Sequence, residues 1–122
     1  ELGAKEAKRT ERFGHPMSLL VADIDLFKSV NDMYGHLAGD RVICAVAQVC
    51  AARKRSGVDI VARFGGEEFV IVLPDTDGPS ALQVAESLRR EVETLLVCVG
   101  DEGLEVAVTV SIGVATAVLP GA

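Results

Sequence analysis

An apolar run from Met17 to Ala22 stops at Asp23, the pattern of a strand buried on both faces. Before it, Glu1 to Phe13 is charged and contains alanine, consistent with the tail of a helix that Gly14-His15-Pro16 ends. Leu26-Phe27-Lys28 follows Asp25 at the start of a short helix, with a Gly35-His36 turn beyond it. From Gly39-Asp40 onward, Val42, Ile43, Val46, Ala47, Val49 and Cys50 fall on one helical face, and Asp40 is placed to cap that helix. Ile60 to Phe64 and Glu67 to Leu73 flank Gly65-Gly66, which predicts a β-hairpin whose glycines supply the positive φ angles of a tight connection. Pro74 to Pro79 is a loop feeding a second long helix, with Leu82, Ala85, Leu88, Val92 and Leu95 at three-to-four spacing. Val97 to Val99 and Glu105 to Val118 are β-rich and separated by Gly100-Asp101-Glu102-Gly103, a second hairpin.

The predicted order is helix, strand, helix, strand, strand, helix, strand, strand. That is an α+β fold, with helices packed on a sheet that is mostly antiparallel. The 122 residues make one domain, and a chain of about this size buries roughly two-thirds of its unfolded surface without staples. Aromatics are only 4% and Trp is absent, so the core must come mainly from Val, Leu, Ile and Ala. No internal repeat, low-complexity tract or linker interrupts the pattern. No apolar stretch approaches the roughly 20 residues of a membrane span, and no signal peptide is present. The chain begins without Met and stops after Leu119-Pro120-Gly121-Ala122, which reads as an excised piece of something longer.

A net charge of −6 argues against nucleic acid or an anionic membrane as a partner, because both require clustered Lys and Arg. A small phosphate ligand remains compatible with local charge. Arg53-Lys54-Arg55 reads as the solvated end of a helix. Cys44, Cys50 and Cys98 form no metal-ligand spacing; Cys44 and Cys50 point to different sides of a helix, and buried reduced thiols are the expected state.

Four acids stand where chemistry could occur. Asp23 and Asp25 lie where the first apolar strand gives out, and Glu67 and Glu68 lie at the hairpin turn. Charge near a core is costly unless paired or metal-bound. If the strand and the hairpin are neighbours, Asp23 and Glu67 converge at one edge and suit a hard divalent cation, with Mg²⁺ taking phosphate oxygens and water as its other ligands. Acids that merely solubilise a strand end are the competing explanation. Backbone N–H groups at the start of the short helix could hold a phosphate, with Lys28 adding charge. Asn31 and Asp40, nine positions apart, could together read a purine edge, the carboxylate accepting from guanine N–H donors; an Asn in a turn and an Asp capping a helix are the competing explanations. His36 has no nucleophile near it in sequence to activate. Gly65-Gly66 fits neither a Walker nor a Rossmann loop.

Four blocks together carry a resemblance. They are Asp23-Ile-Asp-Leu-Phe-Lys-Ser-Val-Asn-Asp32, Gly35-His-Leu-Ala-Gly-Asp40, Arg63-Phe-Gly-Gly-Glu-Glu-Phe69 and Thr109-Val-Ser-Ile-Gly-Val-Ala115. In order and spacing they resemble the GGDEF family of diguanylate cyclases over essentially the whole chain. The resemblance implies a palm-like, ferredoxin-like-related sheet flanked by helices, and condensation of two GTP into cyclic di-GMP across a homodimer. It implies Asp23 and Glu67 as ligands of Mg²⁺ (Mn²⁺ being the alternative), with the Ile24 carbonyl assisting and Glu68 as the remaining acid of the turn. Asn31 and Asp40 match the guanine-reading pair, Phe27 and Lys28 the phosphate-holding turn, and Gly66 the glycine that admits substrate close to the backbone. It also implies a cytoplasmic domain of a bacterial signalling protein, joined in its parent to a sensory or receiver domain, with membrane attachment of the parent left open. The alternative within the family is a non-catalytic GTP-binding regulatory module.

Three departures qualify the resemblance. The family's opening Asp-x-Leu-Thr segment is absent, so residues 1–122 read as a domain trimmed at both ends. The family's closing helix, whose basic residues help hold the triphosphate, is also absent. Many members carry an inhibitory Arg-x-x-Asp before the glycine turn; here the stretch is Ser56-Gly57-Val58-Asp59, with Arg55 one position off, so weak or absent product inhibition is expected.

Overall fold

The structure is a computed structural model that describes residues 14–55, 57–100 and 103–120. The helix expected over residues 1–13 lies outside the described residues. The elements run β1 (Gly14–Ile24), α1 (Phe27–Tyr34), α2 (His36–Arg53), β2 (Ile60–Phe64), β3 (Glu68–Pro74), α3 (Gly78–Glu93), β4 (Val97–Cys98), β5 (Glu105–Val106) and β6 (Val110–Pro120). Four strands form one antiparallel sheet in the order β2-β3-β1-β6, while β4 and β5 form a separate two-stranded ribbon. With α1 and α2 together connecting β1 to β2, and α3 leading from β3 towards β6, this is the α+β plan of a ferredoxin-like βαββαβ unit.

Pairing decides what the local pattern could not. Gly14, His15 and Pro16 extend β1 rather than ending a helix, because they face Pro120, Leu119 and Val118 of β6. The β-rich stretch from Glu105 divides at residues 107–109: Val106 pairs with Val97, whereas Val110 pairs with Ile24. The α2 helix begins one turn earlier than expected. Gly35, at φ 92°, donates its N–H to the Asn31 carbonyl and closes α1, and the Gly39 N–H then returns to the Gly35 carbonyl. Asp40 therefore lies inside α2 and does not cap it. Asp77 does cap α3, accepting the Ser80 N–H at 2.8 Å, with Pro79 in the first turn.

The core lies on one face of the sheet. Leu20, Ala22 and Ile24 of β1 alternate inward with Phe69, Ile71 and Leu73 of β3 and meet Val42, Val46, Ala85, Leu88 and Val92 of the helices. Their β1 neighbours on the opposite face stay partly open, Val21 being 38% exposed, so β1 is buried on one face rather than two among the described residues. The inward stripe of α3 is Ala81, Ala85, Leu88 and Val92; Leu82, one position round the helix, is 59% exposed. Ser18 is fully buried in this core with its hydroxyl satisfied, donating to the Thr76 carbonyl at 2.7 Å and lying 2.8 Å from the Thr116 hydroxyl.

Candidate active site

The adjacency of β1 and β3 gathers the acids. Asp23 lies directly across from Glu68, and the Ile24 N–H reaches the Glu67 carbonyl at 3.3 Å. Asp23 and Glu68 are exposed and Glu67 is half-buried, all at one end of the sheet. The turn between the paired residues Phe64 and Glu68 is held by Arg63, whose Nε donates to the Gly66 carbonyl at 3.1 Å. Only Gly65 of the two glycines takes a positive φ, of 60°. At Gly66 the advantage is space: no described residue lies within 4 Å of where a Cβ would stand, so the turn leaves a clear approach.

Asp25 departs from the role suggested by its pairing with Asp23 in sequence. Its two carboxylate oxygens accept from the Thr109 hydroxyl at 2.7 Å and the Ser111 hydroxyl at 2.6 Å, and its N–H donates to the Thr109 carbonyl at 2.9 Å. Those bonds tie the end of β1 to the start of β6, so Asp25 is a strand-end anchor. Among the described residues no three His, Cys, Asp or Glu side chains gather around one point as a metal cage would require. A pair of carboxylates with open positions does fit Mg²⁺, which keeps waters and takes phosphate oxygens.

Beyond Asp25 the chain turns sharply. Leu26 sits in the left-handed region at φ 56° and ψ 31°, exposed and with no side-chain hydrogen bond capping α1. A branched residue held there stores strain that the bonds on either side of it must hold in place. The N–H groups of the first turn, from Phe27 onward, have no partner within the helix and meet the positive end of its dipole. Lys28 is exposed on that turn, whereas the Phe27 ring is buried and contributes packing.

The second half of the constellation rests on Gly39, which the helical pattern marks only as a helix opener. A Cβ there would collide with Asn31 Oδ1 and stand 3.1 Å from the Phe27 ring, so glycine alone lets α2 cross this close to α1. Asn31 Oδ1 is consequently buried and, among the described residues, unpartnered. A buried amide oxygen without a donor is costly, and a ligand or a water relieves it. Asp40 follows Gly39 at the exposed surface of α2.

The family model described as "Diguanylate cyclase, GGDEF domain" matches residues 2–121. The chain belongs to the GGDEF family. It is 43% identical to diguanylate cyclase A of Treponema denticola over 82% of its own length and 26% of that protein. Among solved structures it is similar to the GGDEF domain of DgcB from Caulobacter crescentus in complex with c-di-GMP. The TM-score is 0.80 at 33% identity, over 93% of this chain and 65% of that one. The active GGEEF domain of a diguanylate cyclase from Vibrio cholerae gives a TM-score of 0.74 at 32% identity, covering 93% of this chain and 68% of that one. The chain spans about a quarter of the length of the curated relatives it matches, with 26% and 23% of the first two.

Within this GGDEF domain the basic run at the end of α2 is more than a solvated helix end. Arg53 binds Glu91 at 2.5 Å and also reaches the Ser87 hydroxyl, tying α2 to α3. Arg55 forms an ion pair with Asp59 at 2.7 Å, donates to the Pro74 carbonyl at 2.9 Å, and offers its own N–H to Asp59 at 2.8 Å. Asp59 is buried, 5% exposed. Burial alone would raise its pKa, but the side-chain and backbone hydrogen bonds from Arg55 outweigh that and hold it below the usual carboxylate range. Among the described residues no helix is long and apolar enough to cross a membrane.

Proposed function

We propose that this domain is the catalytic unit of a diguanylate cyclase, condensing two GTP into cyclic di-GMP with release of two pyrophosphates. The observation that carries the reading is the pairing of Asp23 with Glu68 across β1 and β3, with the Ile24 N–H on the Glu67 carbonyl, a few residues from the uncapped start of α1. Acids at a sheet edge beside unpaired N–H donors are what a polyphosphate with a divalent ion requires.

Asp23 and Glu67 are the carboxylates that would hold Mg²⁺ or Mn²⁺, with the Ile24 carbonyl beside them. The ion, when bound, neutralises phosphate charge and polarises the α-phosphorus. The N–H groups of Phe27 and Lys28, with the Lys28 ammonium, receive the phosphates. The open face of Gly66 lets the triphosphate lie against the turn. Asn31 and Asp40 read guanine: Asn31 Oδ1 is an acceptor awaiting a donor, and the Asp40 carboxylate accepts from the N–H groups that guanine offers and adenine does not.

The 3′-oxygen of one GTP attacks the α-phosphorus of another, its proton leaves, and the bond to the pyrophosphate oxygen breaks. Glu67, half-buried at the hairpin turn, is the chain's own candidate to receive that proton. A single domain with one guanine site cannot align two nucleotides for mutual attack. Two domains must therefore face each other, and most of the rate comes from that alignment. The paired and buried state of Asp59 supports weak product inhibition at this loop.

The decisive test is incubation of the purified protein with GTP and Mg²⁺, following cyclic di-GMP and pyrophosphate. Turnover is expected, and Glu67→Ala should reduce it by at least about a thousandfold, the scale of losing a group that stabilises transition-state charge. Retained GTP binding without product would instead make the domain a non-catalytic GTP-binding regulatory module.

A further inference from the structure

Two of the three cysteines share one place. Cys44, on the outer face of α2, and Cys98, in β4, are both exposed, and both line a groove of about 340 Å³ between those elements. This corrects the expectation of buried thiols, which holds only for Cys50, whose thiol burial pushes up to about 11. Arg41 bridges the groove, its guanidinium donating to the Cys98 carbonyl at 3.4 Å. Cys98 also sits on a short ribbon of two-residue strands whose connection turns through Gly103 at φ 75°. Val97 and Val106 anchor the ribbon in the core, but strands of two residues carry few ladder hydrogen bonds, so the ribbon can adjust where it meets α2 towards disulfide geometry.

We propose that Cys44 and Cys98 form a redox-responsive dithiol, oxidised by a peroxide to a disulfide that fastens the ribbon to α2. One thiolate attacks the peroxide oxygen, the O–O bond breaks, and a sulfenic acid and water result. The second thiol attacks the sulfenic sulfur and expels a second water, so each sulfur gives up one electron and hydrogen peroxide is fully reduced. A dithiol reductant reverses the step by taking the pair's place in a disulfide of its own.

The link carries a consequence for the site. Asp40 lies one helical turn before Cys44 on the same face and lines the same groove. Drawing the ribbon onto α2 closes that face and restrains the Asp40 side chain. The consequence for nucleotide binding rests on the function proposed above; formation of the disulfide does not.

The test begins with reduced protein at micromolar concentration treated with hydrogen peroxide and digested without reductant. The expected result is loss of two hydrogens per chain, a linked pair of peptides bearing Cys44 and Cys98, and full reversal by dithiothreitol. Cys44→Ser and Cys98→Ser should each abolish the link, while Cys50→Ser keeps it. A link between chains, a link through Cys50, or separate over-oxidation of the two thiols overturns the proposal. Phenylarsine oxide gives a second, geometry-tolerant readout: one molecule per chain protecting both thiols supports it, and no protection of the pair overturns it. A non-hydrolysable GTP analogue should bind about tenfold more weakly to the oxidised protein, the usual scale of coupled sites. A disulfide without that change overturns only the coupling to Asp40. Absence of analogue binding by the reduced protein counts against the proposed function and leaves the dithiol standing.

Discussion

Asn31 and Gly39 act as a pair in which the residue without a side chain sets the position of the other. Alanine at 39 would favour the interior of α2 by about 0.5–1 kcal/mol. It would also force the Asn31 amide aside, since that amide is the movable end of the clash. That gain does not offset displacing a buried amide and pressing on the Phe27 ring, so Gly39→Ala is expected to lower the melting temperature and to weaken GTP binding by about tenfold, the worth of one hydrogen bond. Calorimetric titration alongside thermal melting checks both halves, and unchanged GTP affinity would remove Asn31 from the proposed guanine site. Asp25 makes the opposite point: a residue that looks like half of a catalytic pair spends both oxygens on Thr109 and Ser111.

The connection from α2 to β2 behaves as a clasp on the scale of an element. Asp59 takes hydrogen bonds from the backbone and side chain of Arg55, which also grips the Pro74 carbonyl and the Thr76 hydroxyl, at 2.9 and 3.1 Å. Because its pKa is lower folded than unfolded, the unfolded chain binds the extra proton in acid. The stability it contributes is complete above the unfolded value of about 3.9 and is lost as pH falls through the folded value. Urea denaturation from pH 7 down to 2.5 should show an acid-side loss of stability that is smaller in Asp59→Asn. At neutral pH that substitution should cost about 1–3 kcal/mol, the range for breaking hydrogen bonds to a buried acceptor. The same clasp is expected to withhold Asp59 from a second ligand. Calorimetry with cyclic di-GMP should detect no tight binding that Asp59→Asn removes, and tight binding so removed would refute the reading of this loop.

At the scale of the whole molecule, the proposed function makes the candidate site half of a reaction centre, one guanine pocket for a reaction that joins two nucleotides. Specific activity should fall on dilution, with the initial rate rising as about the square of protein concentration well below the dimerisation constant. A rate strictly proportional to concentration across that range would show that one domain suffices. The two halves of the candidate site also come from different parts of the chain: the acids from β1 and the β2–β3 turn, the proposed guanine reader from the crossing of α1 and α2.

The sequence by itself determined the kinds of elements, because hydrophobic periodicity is a local property written into each segment. The stripe of α2, the hairpin at Gly65-Gly66 and the apolar run ending at Asp23 were legible for that reason. The four motif blocks were legible as well, and with them the family. Partnerships between distant segments were not. Only strand pairing showed that β6 reaches back to Gly14, that residues 107–109 divide one β-rich run between two sheets, and that Asp25 is spoken for. Neighbouring faces of a helix differ by one residue, so Ala81 rather than Leu82 could be chosen only by what the sheet presented to it. The same holds for the acids on which the candidate site depends. Their identity was local, but Asp23 meets Glu68 because β3 lies beside β1, and that adjacency is decided by the burial of a core shared by the whole chain.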